Sequence, residues 1–280
     1  MKIIDCGIAI KGKKGTDCQS CLFPGFCVLP SGRWIVSCRA APARNNNWNQ
    51  RVFLSYSDDQ GKNWSEPFAP FKPVEFNGKI GVFRGGYLTS LGNDEVFAAL
   101  HWVDYTNPAL PAFNEKTTGV LDCLIFISRS FDGGLTWSQP EFVDTFCYFN
   151  WPVPVTGPAL YIEPDCLVLQ FELNKPYYDS SPWQHASILL FSRDRGKTWN
   201  QPVIVAKDPE NKIFYWDQRA SVLSDGSIFD VFWTYNNESC SYLNIHARYS
   251  ADGGKTWSEI WDTGVWGQPG HVISLPDGKI

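Results

Sequence analysis

Short hydrophobic runs that end at turn-forming residues recur along the whole chain. Five segments have the pattern of a strand, a tight turn and a second strand. They cover residues 26–36, 87–100, 159–171, 221–233 and 272–280, and their turns align at Gly32, Asp94, Asp165, Gly226 and Gly278. Further hydrophobic runs follow at 52–55, 124–128, 188–191 and 243–249. The pattern predicts antiparallel strands joined by short connections.

A polar motif, S-x-D-x-G-x-x-W, follows each of these last four runs. It begins at Ser57, Ser130, Ser192 and Ser250, and its acidic residues are Asp59, Asp132, Asp194 and Asp252. In such a turn the Asp accepts hydrogen bonds from backbone N–H groups, the Gly takes a positive φ, and the Trp packs over the hairpin. We therefore expect the four Asp residues to hold turns and to have no catalytic role.

Together the two patterns define a repeating unit of roughly 60 residues. Each unit contains strand A, a tight turn, strand B, a loop, strand C, the Asp-containing turn and strand D. Four antiparallel strands per repeat are typical of a blade of a β-propeller. The sequence therefore predicts an all-β fold, a β-propeller of four-stranded antiparallel blades in one domain over residues 1–280.

Composition limits the possible functions. Aromatic residues make up 15% of the 280 residues, which disfavours disorder, and the net charge of −5 disfavours a nucleic-acid partner. We expect no membrane insertion, since no apolar stretch has the length of a span. The first 15 residues are unlike a signal peptide, which gives a cytoplasmic location as the default. The nine Cys are predicted to be mostly free thiols, and no motif indicates a metal or another cofactor.

The four Asp-containing turns resemble the Asp-boxes, or BNR repeats, of the sialidase (neuraminidase) superfamily. The resemblance covers essentially the whole chain and implies a six-bladed propeller. Four units are complete and a fifth begins at Gly270, so we expect a propeller truncated after about four and a half blades, with the C-terminal blades missing. Segment 3–10 is expected to supply a strand of the missing last blade.

The opposite end of each blade, where strand B finishes, is the predicted binding site. Seven residues after the aligned turns stand Arg39, His101, Glu172 and Trp233. Polar or ionisable side chains inside apolar strands are costly unless they face a wet cavity, or else they are solvent-facing strand ends. We expect these four side chains to converge on one water-filled channel.

The starts of strand A and the loops after strand B add further candidates. The segment that ends at Asp217 and Arg219 places a carboxylate and a guanidinium on one strand face, where they form either a structural ion pair or part of the channel mouth. The catalytic candidates are Glu172, Asp217, His101 and Asp104, and the substrate-binding candidates are Arg39, Arg84, Arg219, Trp233, Tyr235 and His271.

The resemblance implies an acidic sugar held by three arginines and cleaved by a Tyr nucleophile assisted by Glu, with an Asp as acid/base. Where the superfamily has Arg-Ile-Pro, this chain has Leu22-Phe23-Pro24, and loop 44–49 lacks the expected Asp. The expected function is a sialidase-like glycoside hydrolase that takes a carbohydrate substrate with a terminal sugar, neutral or anionic. A polysaccharide lyase and a non-catalytic carbohydrate- or protein-binding propeller are the alternatives.

Overall fold

The computed structural model describes residues 3, 5–162, 165–275, 277 and 279–280. These residues form strands joined by turns and loops, and they divide into two compact units. The first unit contains Met1–Ala112 and Leu124–Phe142, and the second contains Phe113–Cys123 and Val143–Ile280. The described residues contain no helical segment with the length and hydropathy that a bilayer span requires.

The strands are numbered in chain order. They are β1 (Ser20–Val28), β2 (Trp34–Ala41), β3 (Arg51–Ser57), β4 (Glu75–Phe76), β5 (Lys79–Gly92), β6 (Glu95–Asp104), β7 (Phe113–Asn114), β8 (Gly119–Val120), β9 (Cys123–Ser130), β10 (Glu141–Val143), β11 (Leu160–Ile162), β12 (Cys166–Leu173), β13 (Ala186–Ser192), β14 (Asn200–Ala206), β15 (Ile213–Val222), β16 (Ile228–Asn236), β17 (Ser241–Tyr242), β18 (His246–Ser250) and β19 (Trp261–Asp262).

Four antiparallel sheets carry the strand order predicted for blades, and we call them blades one to four. Their orders are β1-β2-β3, β4-β5-β6-β9-β10, β11-β12-β13-β14 and β15-β16-β18-β19, with β17 paired to β16. Strands β7 and β8 form a separate hairpin. Each blade thus pairs strand A with B and B with C, as the hydrophobic pattern predicted.

Each unit has its own apolar core. In the first unit, Leu54, Leu100 and Trp102 are fully buried and belong to one cluster. In the second unit, Val168, Leu189 and Phe232 are fully buried and belong to another cluster. These side chains come from the middle of strands, where alternate residues face the neighbouring sheet surface.

The four Asp-containing turns join strand C to strand D and share one hydrogen-bond network. In the turn after β13, Ser192 Oγ donates to Asp194 Oδ1 over 2.8 Å and accepts from the Gly196 N–H over 2.7 Å. The backbone N–H of Thr198 also donates to Asp194 Oδ1, over 2.9 Å. These donors lower the pKa of Asp194 to about 2, the Thr198 hydroxyl contributing most.

The same contacts recur at Asp59, Asp132 and Asp252, each of which accepts from its motif Ser over 2.8 Å. The turn glycine takes a positive φ in every copy, 82° at Gly196 for example, which favours a residue without Cβ. The carboxylates are therefore engaged in holding the turns, in keeping with the structural role expected from the sequence.

Strand D of blade one is reduced to a single bridge, which differs from the four strands predicted. Leu54 and Phe68 exchange two backbone hydrogen bonds of 2.8 and 3.0 Å, and no longer pairing follows among the described residues. Phe68 lies between Pro67 and Pro70, which have no N–H to donate. The prolines limit this edge to one pair of bonds.

The predicted fifth hairpin and the predicted N-terminal strand also differ from the structure. The Leu275 N–H donates to the Lys279 carbonyl over 2.7 Å, but the described residues of 272–280 form no strand, and Gly278 lies outside them. Residues 3 and 5–10 form none either. A strand requires a hydrogen-bonded neighbour, and no described strand pairs with either segment. Likewise the run at 243–249 becomes strand only from His246.

Candidate functional site

Close to the point where strand B ends, strand A is irregular in three blades, and in blade three the segment just before strand A is irregular. The register changes between Leu22 and Gly25, between Phe83 and Gly85, between Val155 and Leu160, and between Trp216 and Arg219. A β-bulge leaves an extra residue unpaired and turns its side chain in a new direction. Two of the predicted site residues, Arg84 and Asp217, are such bulge residues.

In the second unit the bulge of β15 brings two predicted catalytic carboxylates together. The backbone N–H of Asp217 donates to Glu172 Oε1, on strand B of blade three. Asp217 reaches this place with φ of 47°, a conformation that non-glycine residues adopt at a cost and that is frequent at functional sites. Gln170 supports the arrangement, since its Oε1 accepts from the Ala220 N–H over 2.9 Å.

A histidine completes this group. His185 Nε2 lies 3.4 Å from Glu172 Oε2, and both side chains are almost fully buried. His185 Nδ1 is buried without a hydrogen-bond partner among the described residues. We call Glu172, His185 and Asp217 the acid cluster.

The environment favours the protonated form of Asp217. Partial burial, followed by the nearby Glu172 carboxylate, raises its pKa above the ordinary value. Arg219 opposes this shift, since its Nη2 lies 3.9 Å from Asp217 Oδ1, and its Nη1 donates to the carbonyls of Thr156 and Gln218. The bulge interrupts the strand alternation on which the pairing of Asp217 and Arg219 was predicted, yet the two side chains remain neighbours.

Aromatic rings lie beside the acid cluster on one face of blade four. Trp216 stacks on Tyr235 with ring centroids 4.7 Å apart, and Trp233 stacks on Tyr242 at 4.3 Å. Trp216 contacts Trp233 edge to face at 6.1 Å, which joins the two pairs. We define the aromatic cluster as these four rings together with Trp183 and Phe214, which pack on Trp216.

The acid and aromatic clusters share an edge. The His185 ring is 6.4 Å from Trp216 and 5.9 Å from Phe214. The last predicted residue of this unit, His271, places Nδ1 3.5 Å from the hydroxyl of Ser221 on β15. Carboxylates, an imidazole and aromatic faces in one place can bind a sugar ring and transfer protons to it.

The first unit holds a group of two arginines and a histidine, Arg39, Arg84 and His101, which we call the cationic cluster after its arginines. Arg84 lies over the Phe23 ring at 5.5 Å, and its buried Nη1 has no hydrogen-bond partner among the described residues. Burial, with a further effect of Arg84, lowers the pKa of His101 to about 3, so the imidazole is neutral. Burial and Arg84 also lower the pKa of Arg39.

The contacts of Arg39, and those of the predicted site residue Asp104 in the same unit, hold a neighbouring loop and turn. Arg39 is buried and donates to Gln50 Oε1 over 2.7 Å and to the carbonyls of Arg44 and Asn46. It therefore fixes the loop between β2 and β3. Asp104 accepts a hydrogen bond from the Thr106 N–H over 2.9 Å, and this bond caps the turn after β6. The Asp104 carboxylate also lies 3.3 Å from Lys79 Nζ.

The predicted site residues thus fall into two groups, one in each unit. The second unit gathers Glu172, Asp217, Arg219, Trp233, Tyr235 and His271, and the first contains Arg39, Arg84, His101 and Asp104. The convergence of Arg39, His101, Glu172 and Trp233 on one channel stays a prediction.

Three features were missed by the sequence analysis. His185 stands in the loop before strand C, where nothing marks it as a partner of Glu172. The ring stacks need Tyr242, which comes from the short added strand β17. The bulges have no distinctive sequence signature. Two bulge residues, Phe23 and Asp217, have a positive φ, and the residues that follow them, Pro24 and Gln218, are of different types.

Comparison with known proteins agrees with this architecture. The family model described as BNR/Asp-box repeat matches residues 55–66 and 248–259, in the first and fourth Asp-containing turns. A sialidase of Bacteroides fragilis is 28% identical over 47% of this chain, and the match spans 28% of the length of that curated relative.

Solved structures share the fold at low sequence identity. A Dyadobacter fermentans protein of unknown function superposes with a TM-score of 0.70 and 22% identity, covering 92% of this chain and 72% of the other. The leech intramolecular trans-sialidase complexed with 2,7-anhydro-Neu5Ac gives 0.66 and 14%, covering 93% of this chain and 54% of the other. The predicted all-β propeller fold is confirmed, and it is a glycoside-hydrolase-like fold. By its repeats and its architecture, the chain is a β-propeller that carries BNR/Asp-box repeats and is similar to the sialidase-like propellers.

Proposed function

We propose that this protein is a glycoside hydrolase that cleaves a terminal sugar from a glycoconjugate or polysaccharide. The observation that carries the proposal is the hydrogen bond from the Asp217 backbone to Glu172, which brings the two residues together beside an aromatic surface, where the Glu172 carboxylate acts on the Asp217 carboxyl group. Glycoside hydrolysis commonly uses one carboxylic acid and one carboxylate.

The surroundings of the two groups differ, and this difference assigns their roles. Asp217 has a raised pKa because of partial burial and the neighbouring Glu172, which suits a general acid that protonates the leaving oxygen. Glu172 accepts a hydrogen bond from the Asp217 N–H, and its Oε2 lies 3.4 Å from His185 Nε2. Glu172 then acts as the base or nucleophile, and His185 orients it.

Taken within the first unit, the cationic cluster has the chemistry of a site for an anionic group such as a sugar carboxylate. Its Arg84 has a buried nitrogen with no partner among the described residues, and guanidinium groups bind carboxylates with two parallel hydrogen bonds. The sialidase found among the relatives points to the same substrate class.

The test is hydrolysis of a panel of 4-methylumbelliferyl glycosides, including the sialoside, by the protein and its variants. We expect Glu172→Gln and Asp217→Asn each to lower kcat/KM at least about 100-fold, the scale of a lost acid or base. Glu210→Gln, which removes an exposed carboxylate of the same unit, is the matched control and should retain activity. Wild-type turnover by both site variants, with unchanged melting temperatures, would exclude this mechanism.

The pH profile gives a second reading of the same assignment. A general acid must be protonated, so kcat/KM should fall as pH rises through the raised pKa of Asp217. In Asp217→Asn this alkaline limb should disappear from the residual activity. A limb that persists in the variant would assign the acid to another group.

A non-catalytic carbohydrate-binding role is the second candidate, and the aromatic cluster favours it. In that case the wild-type protein would bind an oligosaccharide without releasing a product, and Glu172→Gln would bind it equally well. Sugar release that depends on Glu172 would exclude this candidate.

A further inference from the structure

The aromatic cluster extends beyond the acid cluster because of an added strand. β17 pairs only with the end of β16, with Tyr235 opposite Tyr242 and Asn236 opposite Ser241. Among the described strands, no other strand B carries an addition of this kind at its end. The consequence is that Tyr242 lies parallel to Trp233, with 2° between the ring planes.

Two successive ring contacts connect the acid cluster with Tyr242. The His185 ring contacts Trp216 at 6.4 Å, and Trp216 contacts Tyr242 at 6.2 Å. The inner rings are partly buried, whereas Tyr242 keeps 39% of its surface exposed. The end of the cluster is therefore open to a ligand whose other end lies at Glu172 and Asp217.

The rim of this surface has the chemistry of a sugar site. The hydroxyls of Ser239 and Ser241 are exposed and 2.7 Å apart, and Ser241 precedes Tyr242 in β17. A sugar ring presents an apolar C–H face that packs on an aromatic ring, and hydroxyl groups at its edge that pair with such polar side chains.

We propose that Tyr242 and Trp233 form a stacking subsite for a second sugar ring, on the leaving-group side of the bond to be cleaved. This inference rests on the proposed function, since it takes the acid cluster as the place of cleavage. The protein then selects glycans of at least two sugar units, and β17 is the element that determines this specificity.

The experiment compares substrates that differ only in the leaving group. The pairs are 3′-sialyllactose with methyl α-sialoside, and lactose with methyl β-galactoside, and the readout is the ratio of kcat/KM within a pair. Tyr242→Ala should lower the ratio about three- to tenfold, the range of one aromatic contact. Tyr242→Phe keeps the ring and should retain most of the ratio.

Tyr249→Ala is the matched control. Tyr249 lies in the same blade with 47% of its surface exposed, and it packs on Trp261 instead of the aromatic cluster. It should leave the ratio unchanged, which separates the loss of a stacking surface from a general loss of blade stability. An unchanged ratio in Tyr242→Ala would overturn the proposal.

Binding separates this inference from the proposed function. If the wild-type protein cleaves none of the four probes, hydrolysis of these sugars fails, and saturation-transfer NMR with 3′-sialyllactose and lactose tests the subsite. Transfer to the second ring that is lost in Tyr242→Ala and kept in Tyr249→Ala would support the subsite. Absence of transfer to the second ring of either disaccharide would overturn it.

Discussion

Two aspartates in the first hairpin of blade four differ in their exposure to solvent. Asp217, at the bulge of β15, is partly exposed beside Glu172. Asp230, on β16, is fully buried, and its Oδ2 accepts from Gln218 Nε2 over 2.6 Å. Burial raises the pKa of Asp230 to about 8, so this carboxyl is mostly protonated in the folded protein at neutral pH.

Replacement of Asp230 by Asn should stabilise the protein more as pH rises. The folded-state pKa of Asp230 is raised, so its contribution to stability is fully present below the unfolded pKa, near 4, and is lost as pH rises to about 8. Asn cannot ionise, so the variant does not lose stability in this way as pH rises. The melting temperature of Asp230→Asn should therefore match the wild type near pH 4 and exceed it progressively towards pH 8.

Asp225→Asn is the control in the same hairpin. Hydrogen bonds from Ser227 lower the pKa of Asp225, so its contribution is present above the unfolded pKa and is lost as pH falls. Its variant should show no gain with rising pH. A constant difference between Asp230→Asn and the wild type across this range would contradict an uncharged Asp230.

At the scale of the strand, register and close packing fix where the site side chains are placed. Strand β5 illustrates both effects, since its bulge presents Arg84 while the preceding residues pack on strand B. Gly81 faces the buried Trp102, whose Nε1 donates to the Val74 carbonyl over 2.8 Å. A Cβ at Gly81 would stand 1.8 Å from Trp102 Cε2, so only glycine fits there.

Gly81→Ala should lower the free energy of unfolding by about 3 kcal/mol or more, the upper range for overpacking a core. Either Trp102 gives up its place and its hydrogen bond, or β5 moves away from β6. Gly85→Ala in the same strand is the matched control, because its Cβ would make ordinary contacts of 3.6 Å or longer. Equal urea midpoints for the two variants would show that β5 accommodates the clash.

At the scale of the molecule, both units are held together without a disulfide among the nine cysteines. All nine cysteines lie in the described part of the chain, and none of them forms a disulfide. Cys6, Cys147 and Cys240 are exposed, whereas Cys27, Cys38 and Cys123 are buried. Burial raises the pKa of Cys27 to about 12, which suppresses the reactive thiolate.

A thiol reagent such as DTNB should therefore label three cysteines rapidly in the native protein. The three buried thiols should react only as fast as the structure opens, and their rate should rise with urea as the unfolded fraction rises. Cys240→Ser should remove one thiol from the fast phase, and Cys123→Ser should leave that phase unchanged. One fast phase with all nine thiols would contradict a protected core in both units.

The sequence predicted much of the fold because its signals are local. A turn such as Ser192–Asp194–Gly196 closes with bonds among its own residues, so its spacing reveals it wherever it occurs. The candidate site was predicted only in part. Glu172 was recognised as unusual inside an apolar strand, and Asp217 as part of an unusual segment just before one. The contact of His185 with Glu172 was not predicted, because it joins a loop residue to a strand.

The sequence by itself determined the repeat, the strand order within each blade and the structural role of the four turn aspartates, because these depend on residues close together in the chain. Tertiary structure alone decided which side chains meet. The bulge that presents Asp217 to Glu172 and the strand that lays Tyr242 on Trp233 are set by pairing between strands, and the energy that fixes them comes from residues distant in sequence.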